Sequence, residues 1–256
     1  MKSIFISGGA AGIGLATARL FAAKGWRTGI GDIAEPKAPI PGVECYKLDV
    51  RDRAQWTQAL TDFAGADGAI DVLVNNAGIV RYGRFEHIAP EDNDLVVNIN
   101  LNGTINGVYT GLPFLRRAKG ATLVNIASAG AIYGGPDLAV YSATKFAVRG
   151  LSEALDAEFA PYGVAVRCIM PWFTETNMVN QPGVGRNTNL KDDLGSNGVH
   201  GPEVPAQAVW AAVHGKKLHH PVGLQSRLMS GAVRLFPGAM RRMSRGQMIK
   251  KRGQLV

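Results

Sequence analysis

At 256 residues, 46% of them hydrophobic, the chain is long enough to enclose one core that buries about 70–75% of the surface its unfolded form exposes. Its formal charge of +8 is unevenly placed: residues 1–215 hold 18 Lys and Arg against 20 Asp and Glu, whereas 216–256 hold 10 basic residues and no acid. Any nucleic-acid or membrane argument therefore concerns that terminal segment alone. Cys45 and Cys168, the only cysteines, sit in apolar contexts with no CxxC or Cys/His spacing and read as buried thiols of a reducing compartment.

The start, Met1-Lys2-Ser3-Ile4-Phe5-Ile6, has too short an apolar run for a signal-peptide core, and no run of 18 apolar residues occurs. A cytoplasmic protein is the expectation. Along the chain, apolar runs alternate with helical periodicity. Strands are predicted at Ile4–Ser7, Arg27–Gly31, Glu44–Leu48, Val72–Val74, Thr122–Ile126 and Ala165–Ile169. Helices are predicted at Ile13–Ala23, Ala54–Phe63, Asp92–Arg117 and Tyr141–Phe159, the third interrupted in propensity by Asn100, Asn102, Gly103 and Gly107. Continuous apolar strands with helices between them imply a parallel sheet covered on both faces, a doubly wound Rossmann-type α/β fold. Residues 1–223 form the expected catalytic domain and 224–256 a basic C-terminal extension.

The first strand runs into Ser7-Gly8-Gly9-Ala10-Ala11-Gly12-Ile13-Gly14. A glycine cluster alone signifies a turn. Directly between a strand and a helix, it lets the backbone approach a pyrophosphate while the helix N–H groups face the anion. Asp32 closes the second strand, where a carboxylate accepts both ribose hydroxyls of NAD and repels the 2′-phosphate of NADP; Ile33, not an arginine, follows it.

With these features the chain resembles the short-chain dehydrogenase/reductase family, in its branch of roughly 250-residue subunits, from Lys2 to about Thr176. Ser7-Gly8 stands where the family begins its glycine motif with Thr-Gly. Leu48-Asp49-Val50 resembles the segment whose Asp holds the adenine amino group, and Asn75-Asn76-Ala77-Gly78 matches the family's NNAG on the adenosine side. Asn100 lies in a segment resembling the active-site Asn motif, Ser128 follows the fifth strand, and Tyr141-Ser142-Ala143-Thr144-Lys145 gives YxxxK. The resemblance implies a catalytic set of Asn100, Ser128, Tyr141 and Lys145. It implies NAD(H) contacts from Ser7, Gly8, Gly12, Ile13, Gly14, Asp32, Asp49, Val50, Asn76, Ala77, Gly78, Tyr141, Lys145, Thr174 and Thr176. One departure stands out: Pro171-Trp172 replaces the family's Pro-Gly beside the nicotinamide.

Tyr141 and Lys145 are one helical turn apart and share a face. A tyrosine with a pKa near 10 is a poor base at neutral pH, and a lysine ammonium beside it, together with the positive nicotinamide of NAD⁺, is expected to favour the tyrosinate. Tyr141 then exchanges the substrate hydroxyl proton, with Ser128 orienting the oxygen. The resemblance implies that Lys145 also holds the nicotinamide ribose and that Asn100 bends a helix and orders water leading to Lys145.

Ile132, Tyr133, Leu138, Trp172, Phe173 and Met178 are the expected substrate wall, which suits a hydrophobic secondary alcohol or ketone. Within residues 174–203, the Gly-rich stretch Pro182–Gly201 resembles a movable lid, an inert surface loop being the alternative. NADH-dependent ketone reduction and a non-catalytic, dinucleotide-responsive interaction protein are the competing readings. No metal site is expected, because adjacent His219-His220 have no carboxylate or thiol to complete one. Nucleic acid is not an expected partner, since the basic tail has no reader motif. The helices beginning near Asp92 and Tyr141 resemble the family's subunit-packing elements and imply a homodimer or homotetramer. In the tail, His220-Pro221-Val222-Gly223 reads as a strand remnant, and Pro237-Gly238 is expected to divide residues 224–256 into two short helices. Those helices cover the subunit or its neighbour, or touch an acidic membrane peripherally.

Overall fold

The structure is a computed structural model that describes residues 1–185, 187–194 and 199–252. Seven strands, β1 (Ser3–Ser7), β2 (Arg27–Asp32), β3 (Val43–Lys47), β4 (Val72–Asn75), β5 (Thr122–Ile126), β6 (Ala165–Pro171) and β7 (His219–Val222), form one sheet in the order β3-β2-β1-β4-β5-β6-β7. Every neighbouring pair is parallel. Of the two cysteines expected to be buried, Cys168 on β6 is, whereas Cys45 on the edge strand β3 is exposed. The doubly wound α/β fold expected from the apolar strands is the observed one.

Strand alternation divides the core into two layers. In β1, Phe5 packs with Trp56, Leu60 and Phe63 of helix α2 (Arg53–Ala64). Its neighbours Ile4 and Ile6 point the other way, toward Phe21 of α1 (Gly12–Ala23) and Val209 of α8 (Glu203–Val213). All of these side chains are at most 1% exposed. Each such aliphatic or aromatic burial contributes roughly 1.5–3 kcal/mol, so the two layers clamp the sheet without polar help. Asp52 caps α2 by accepting N–H bonds from Ala54 and Gln55.

The helix expected over Asp92–Arg117 is broken in a specific way. It runs as α3 (Pro90–Val97), a π-helical turn over Asn98–Asn102, and α4 (Gly103–Leu115). The π turn turns Asn100 fully inward. Helix α5 (Ala139–Phe159) begins two residues before Tyr141. After β6 come the short helices α6 (Asn177–Asn180) and α7 (Leu190–Leu194), then α8, which the sequence pattern did not announce. The tail forms α9 (Leu224–Leu235) and α10 (Pro237–Arg252), divided at Phe236-Pro237. The expected lid includes residues 186 and 195–198, and the terminal extension includes 253–256; these lie outside the described residues.

The sheet order changes direction between β1 and β4. Consecutive strands fan to one side of β1, then to the other, which opens a crevice at their C-terminal ends.

Candidate active site

One cavity occupies that crevice. At one end its wall is Gly8, Gly12, Ile13 and Asp32; at the other it is Ser128, Tyr141, Lys145 and a set of apolar side chains. Asp49, Val50, Asn76, Ala77, Gly78, Thr174 and Thr176 also line it. Ser7, Gly14 and Asn100 do not: they stand behind the wall and hold it.

The glycine turn fits a pyrophosphate. Gly8 and Gly12 take φ of +66° and +54°, left-handed conformations that side chains rarely adopt. A Cβ on Gly14 would lie 2.2 Å from the Gly8 carbonyl oxygen, so α1 can start there only without one. Ser7 is 1% exposed, and its hydroxyl accepts from Asn76 N (3.1 Å) and Ala77 N (3.3 Å). Asn76 answers by donating from Nδ2 to the carbonyls of Ser7 (3.0 Å) and Gly8 (2.9 Å). Two loops from neighbouring strands are thereby stitched into one cradle, with the side chains of Ser7 and Asn76 occupied by the stitching.

Asp32 accepts from Ala10 N at 3.0 Å and Ala34 N at 3.1 Å, which fixes its carboxylate at the cavity rim. At the expected adenine position, Asp49 is paired with Arg51 at 2.5 Å, and this pairing holds its carboxyl below the usual carboxylate range. Arg51, two residues along, belongs to the same wall and was missed by the sequence reading. Val50 is fixed by its carbonyl, which accepts from Trp56 Nε1 and Asn106 Nδ2.

The catalytic candidates converge. Ser128 ends the run from β5, and its Oγ accepts from Gly130 N at 3.0 Å. Its hydroxyl lies near enough to the Tyr141 phenol to work toward lowering the phenol's pKa. Lys145 is 4% exposed; its Nζ donates to the Ile126 carbonyl at 2.9 Å and lies 5.8 Å from the Tyr141 ring centroid. Burial lowers the Lys145 pKa to about 8 and raises that of Tyr141, Ser128 opposing the latter only in part. In the protein alone Tyr141 thus stays a phenol; the expected tyrosinate also calls for the positive nicotinamide of NAD⁺. Desolvation penalises the phenolate more than its neighbours stabilise it.

Asn100 clasps Ile79, with Oδ1 accepting from its N (2.8 Å) and Nδ2 donating to its O (2.9 Å), and Nδ2 also reaches Thr144 Oγ1 at 3.3 Å. Thr144 in turn donates to the Tyr141 carbonyl. Asn100 makes no direct bond to Lys145 among the described residues. A Cβ on Gly78 would lie 3.2 Å from Asn100 Oδ1 and 3.5 Å from Lys145 Nζ, so Gly78 is the spacer that brings the two together.

The apolar end contains Leu138, Trp172, Phe173 and Met178 as expected, and adds Val80, Val179 and Leu190. Ile132 is a correction: the short turn Ala129–Ala131 sends it into the core beside Val148, Cys168 and Met170. Tyr133 is not in the wall either. Trp172 leaves the strand path intact, since its N donates to the Val222 carbonyl at 3.1 Å. Its indole stands edge-on to Phe173 at 5.2 Å, and its buried Nε1 has no partner among the described residues. Thr174 Oγ1 donates back to the Trp172 carbonyl, and the Thr176 methyl abuts Gly12. No cluster of three or more His, Cys, Asp or Glu able to hold a metal occurs among the described residues.

Comparison with known proteins gives the family and the fold. Residues 2–185 match the family model for short chain dehydrogenases. The chain is 36% identical over 219 residues to the 3-oxoacyl-[acyl-carrier-protein] reductase of Thermotoga maritima, covering 81% of this chain and 88% of that one. It is 34% identical over 185 residues to a 3-alpha-(or 20-beta)-hydroxysteroid dehydrogenase of Mycobacterium bovis, covering 70% and 71%. Among solved structures, a short chain dehydrogenase from Burkholderia cenocepacia in complex with NADP shares the fold, with a TM-score of 0.81 at 23% identity over 95% of this chain and 98% of that one. The protein belongs to the short-chain dehydrogenase family of oxidoreductases.

Proposed function

We propose that the protein interconverts a hydrophobic secondary alcohol and its ketone with NAD(H). The observation that carries this reading is the continuity of one cavity. It joins the Asp32 end of a glycine cradle to Ser128, Tyr141 and Lys145 and ends in an apolar wall. A bound nicotinamide supplies or accepts the hydride. Gly8, Gly12 and Ile13 would hold the pyrophosphate, Asp32 the adenosine ribose and Lys145 the nicotinamide ribose, with Asp49, Val50, Ala77 and Gly78 about the adenosine and Thr174 and Thr176 about the carboxamide. Ser128 holds the substrate oxygen and Tyr141 moves its proton. Asn100 is a positioning residue, acting on Lys145 through the Ile79 and Gly78 backbone.

The charge on Asp32, with Ile33 and no arginine after it, supports NAD(H) over NADP(H). Purified protein assayed with NAD⁺ and NADH over a panel of apolar alcohols and ketones tests the reading. Turnover with neither, in a protein that still binds dinucleotide, leaves the interaction-protein alternative.

Assembly through α4 and α5 is part of the proposal. Tyr109 and Phe146 stand exposed on these helices at 71% and 42%, an apolar cost that a two-fold interface removes. Light scattering is expected to give a dimer or tetramer; a constant 27.2 kDa across a concentration series contradicts it.

A further inference from the structure

Helix α9 has two apolar faces. One, with Met229 and Val233, packs against the core beside Ile132, Val148 and Met170. The other carries Leu224, Leu228 and Leu235, which are 67%, 64% and 69% exposed. Their spacing of i, i+4 and i+11 places them within about 40° of arc on the helix. Phe236, just past the end of the helix, is 63% exposed, and Met243 and Ile249 of α10 are exposed beyond it. Since the inner face already supplies the packing, the outer stripe does nothing for this subunit's core.

The charges around the stripe are of one sign. Arg227 and Arg234 fall about 60–80° to one side of it, and Arg241, Arg242 and Arg245 are exposed on α10. No Asp or Glu occurs after Glu203. A second copy docked face to face would set these arginines against their equivalents with no acid from either helix to separate them. A surface of fixed negative charge with an apolar layer beneath accepts both features at once.

We infer that α9 and α10 form a peripheral docking face for an acidic lipid bilayer, with the leucine stripe and Phe236 entering the acyl boundary and the arginines lying among anionic headgroups. The contact is interfacial: no helix among the described residues is long and apolar enough to cross a membrane. The face is also tied to the cavity. Gln225 in the first turn of α9 bonds His200 at 3.3 Å, and His200 N donates to the Phe173 carbonyl at 2.9 Å. Docking thus takes place one side chain away from the loop that bears the substrate wall.

The test is flotation of the full-length protein with phosphatidylcholine vesicles and with phosphatidylcholine–phosphatidylglycerol vesicles, at low and high salt, beside light scattering without lipid. The native protein is expected to float with the acidic vesicles only, and less at high salt. The pair Leu228→Glu and Leu235→Glu should abolish recovery without changing oligomeric mass, and each of Arg227→Gln and Arg234→Gln should weaken binding about fivefold. Should the glutamate pair fail to fold, the arginine variants and the salt series of the native protein decide the question. Failure to float, equal recovery on neutral vesicles, or a loss of oligomeric mass in the leucine variant with lipid binding unchanged overturns the proposal, the last outcome assigning the face to a second copy. Flotation needs no turnover, so its result stands apart from the proposed hydride chemistry.

Discussion

The two ends of the cavity are built on different principles. At the glycine end the wall is backbone, and nearly every polar group there has a named partner: Ser7 with Asn76 and Ala77, Asn76 with Ser7 and Gly8, Asp32 with Ala10 and Ala34. At the far end the wall is side chain, drawn from Leu138, Phe173, Met178, Val179 and Leu190, with one indole N–H left without a partner among the described residues. Hydrogen-bonded backbone admits one ligand shape, whereas apolar side chains admit any ligand of suitable volume. One end is therefore specific by construction and the other only by size. Between them, Ser128, Tyr141 and Lys145 require exact chemistry but little shape.

The largest effect is expected at that junction. Tyr141→Phe keeps the buried ring and removes the only proton it can transfer, so turnover should fall by about 10²–10⁴ while dinucleotide affinity, set at the glycine end, changes little. Steady-state rates and a dinucleotide binding titration on the same preparation check this; native turnover in the variant refutes the role. The pH profile adds the sign. Burial penalises the tyrosinate, so the phenol keeps its proton through neutral pH; burial penalises the ammonium, so Lys145 loses its charge near its pKa of about 8. Ketone reduction should therefore hold through neutral pH and decline as pH rises past that value, because an uncharged lysine leaves the phenol a weaker acid, and alcohol oxidation, which needs the tyrosinate, should show no gain across the same step.

A smaller effect is expected at the glycine end. Asp32→Asn keeps one acceptor for the Ala10 and Ala34 N–H groups but removes the charge. A charged hydrogen bond is worth about 1.5–3 kcal/mol, so the ratio of kcat/KM for NADH over NADPH should fall roughly 10–100-fold. An unchanged ratio, or a native preference for NADPH, removes Asp32 as the selector.

The sequence was most legible where local chemistry leaves few alternatives. Apolar runs ending in Gly8 or Asn75 could be little other than buried parallel strands, and a tyrosine four residues before a lysine on a helix had to share its face. Side-chain destinations were less legible. Ile132 follows Ser128 closely enough to look like pocket wall, but one short turn between them rotates it into the core. The Asn- and Gly-rich interruption of the long helix signalled weakness; that the chain absorbs it as a π turn, with Asn100 clasping Ile79, depends on a loop 21 residues earlier. Helix α8 was missed because Pro205 and a mostly small-residue repeat carry little helical signal, although Val209 and Ala212 are fully buried on α1's side of the sheet. The pairing of Asp49 with Arg51 was readable in principle, since the two residues are neighbours in a turn.

The smallest effect, and the most informative about the apolar end, is expected from Trp172. The indole stands where the family has glycine, lines the cavity and braces Phe173 edge-on, while its N–H bonds nothing among the described residues. If the indole acts only as volume, Trp172→Phe should preserve the wall, leave kcat nearly unchanged and raise KM for bulky apolar ketones a few-fold, because lost apolar area weakens ground-state and transition-state binding alike. If instead the N–H is aimed at a substrate oxygen, the same variant should lose affinity only for substrates with a second polar group, and by about 1–3 kcal/mol, the cost of leaving that group unmatched. KM values for a matched pair of ketones, one carrying a second hydroxyl and one not, distinguish the two. A uniform change across the pair makes Trp172 a spacer and leaves selectivity at this end to size, whereas a selective change gives the apolar end one directional contact of the kind that fills the glycine end.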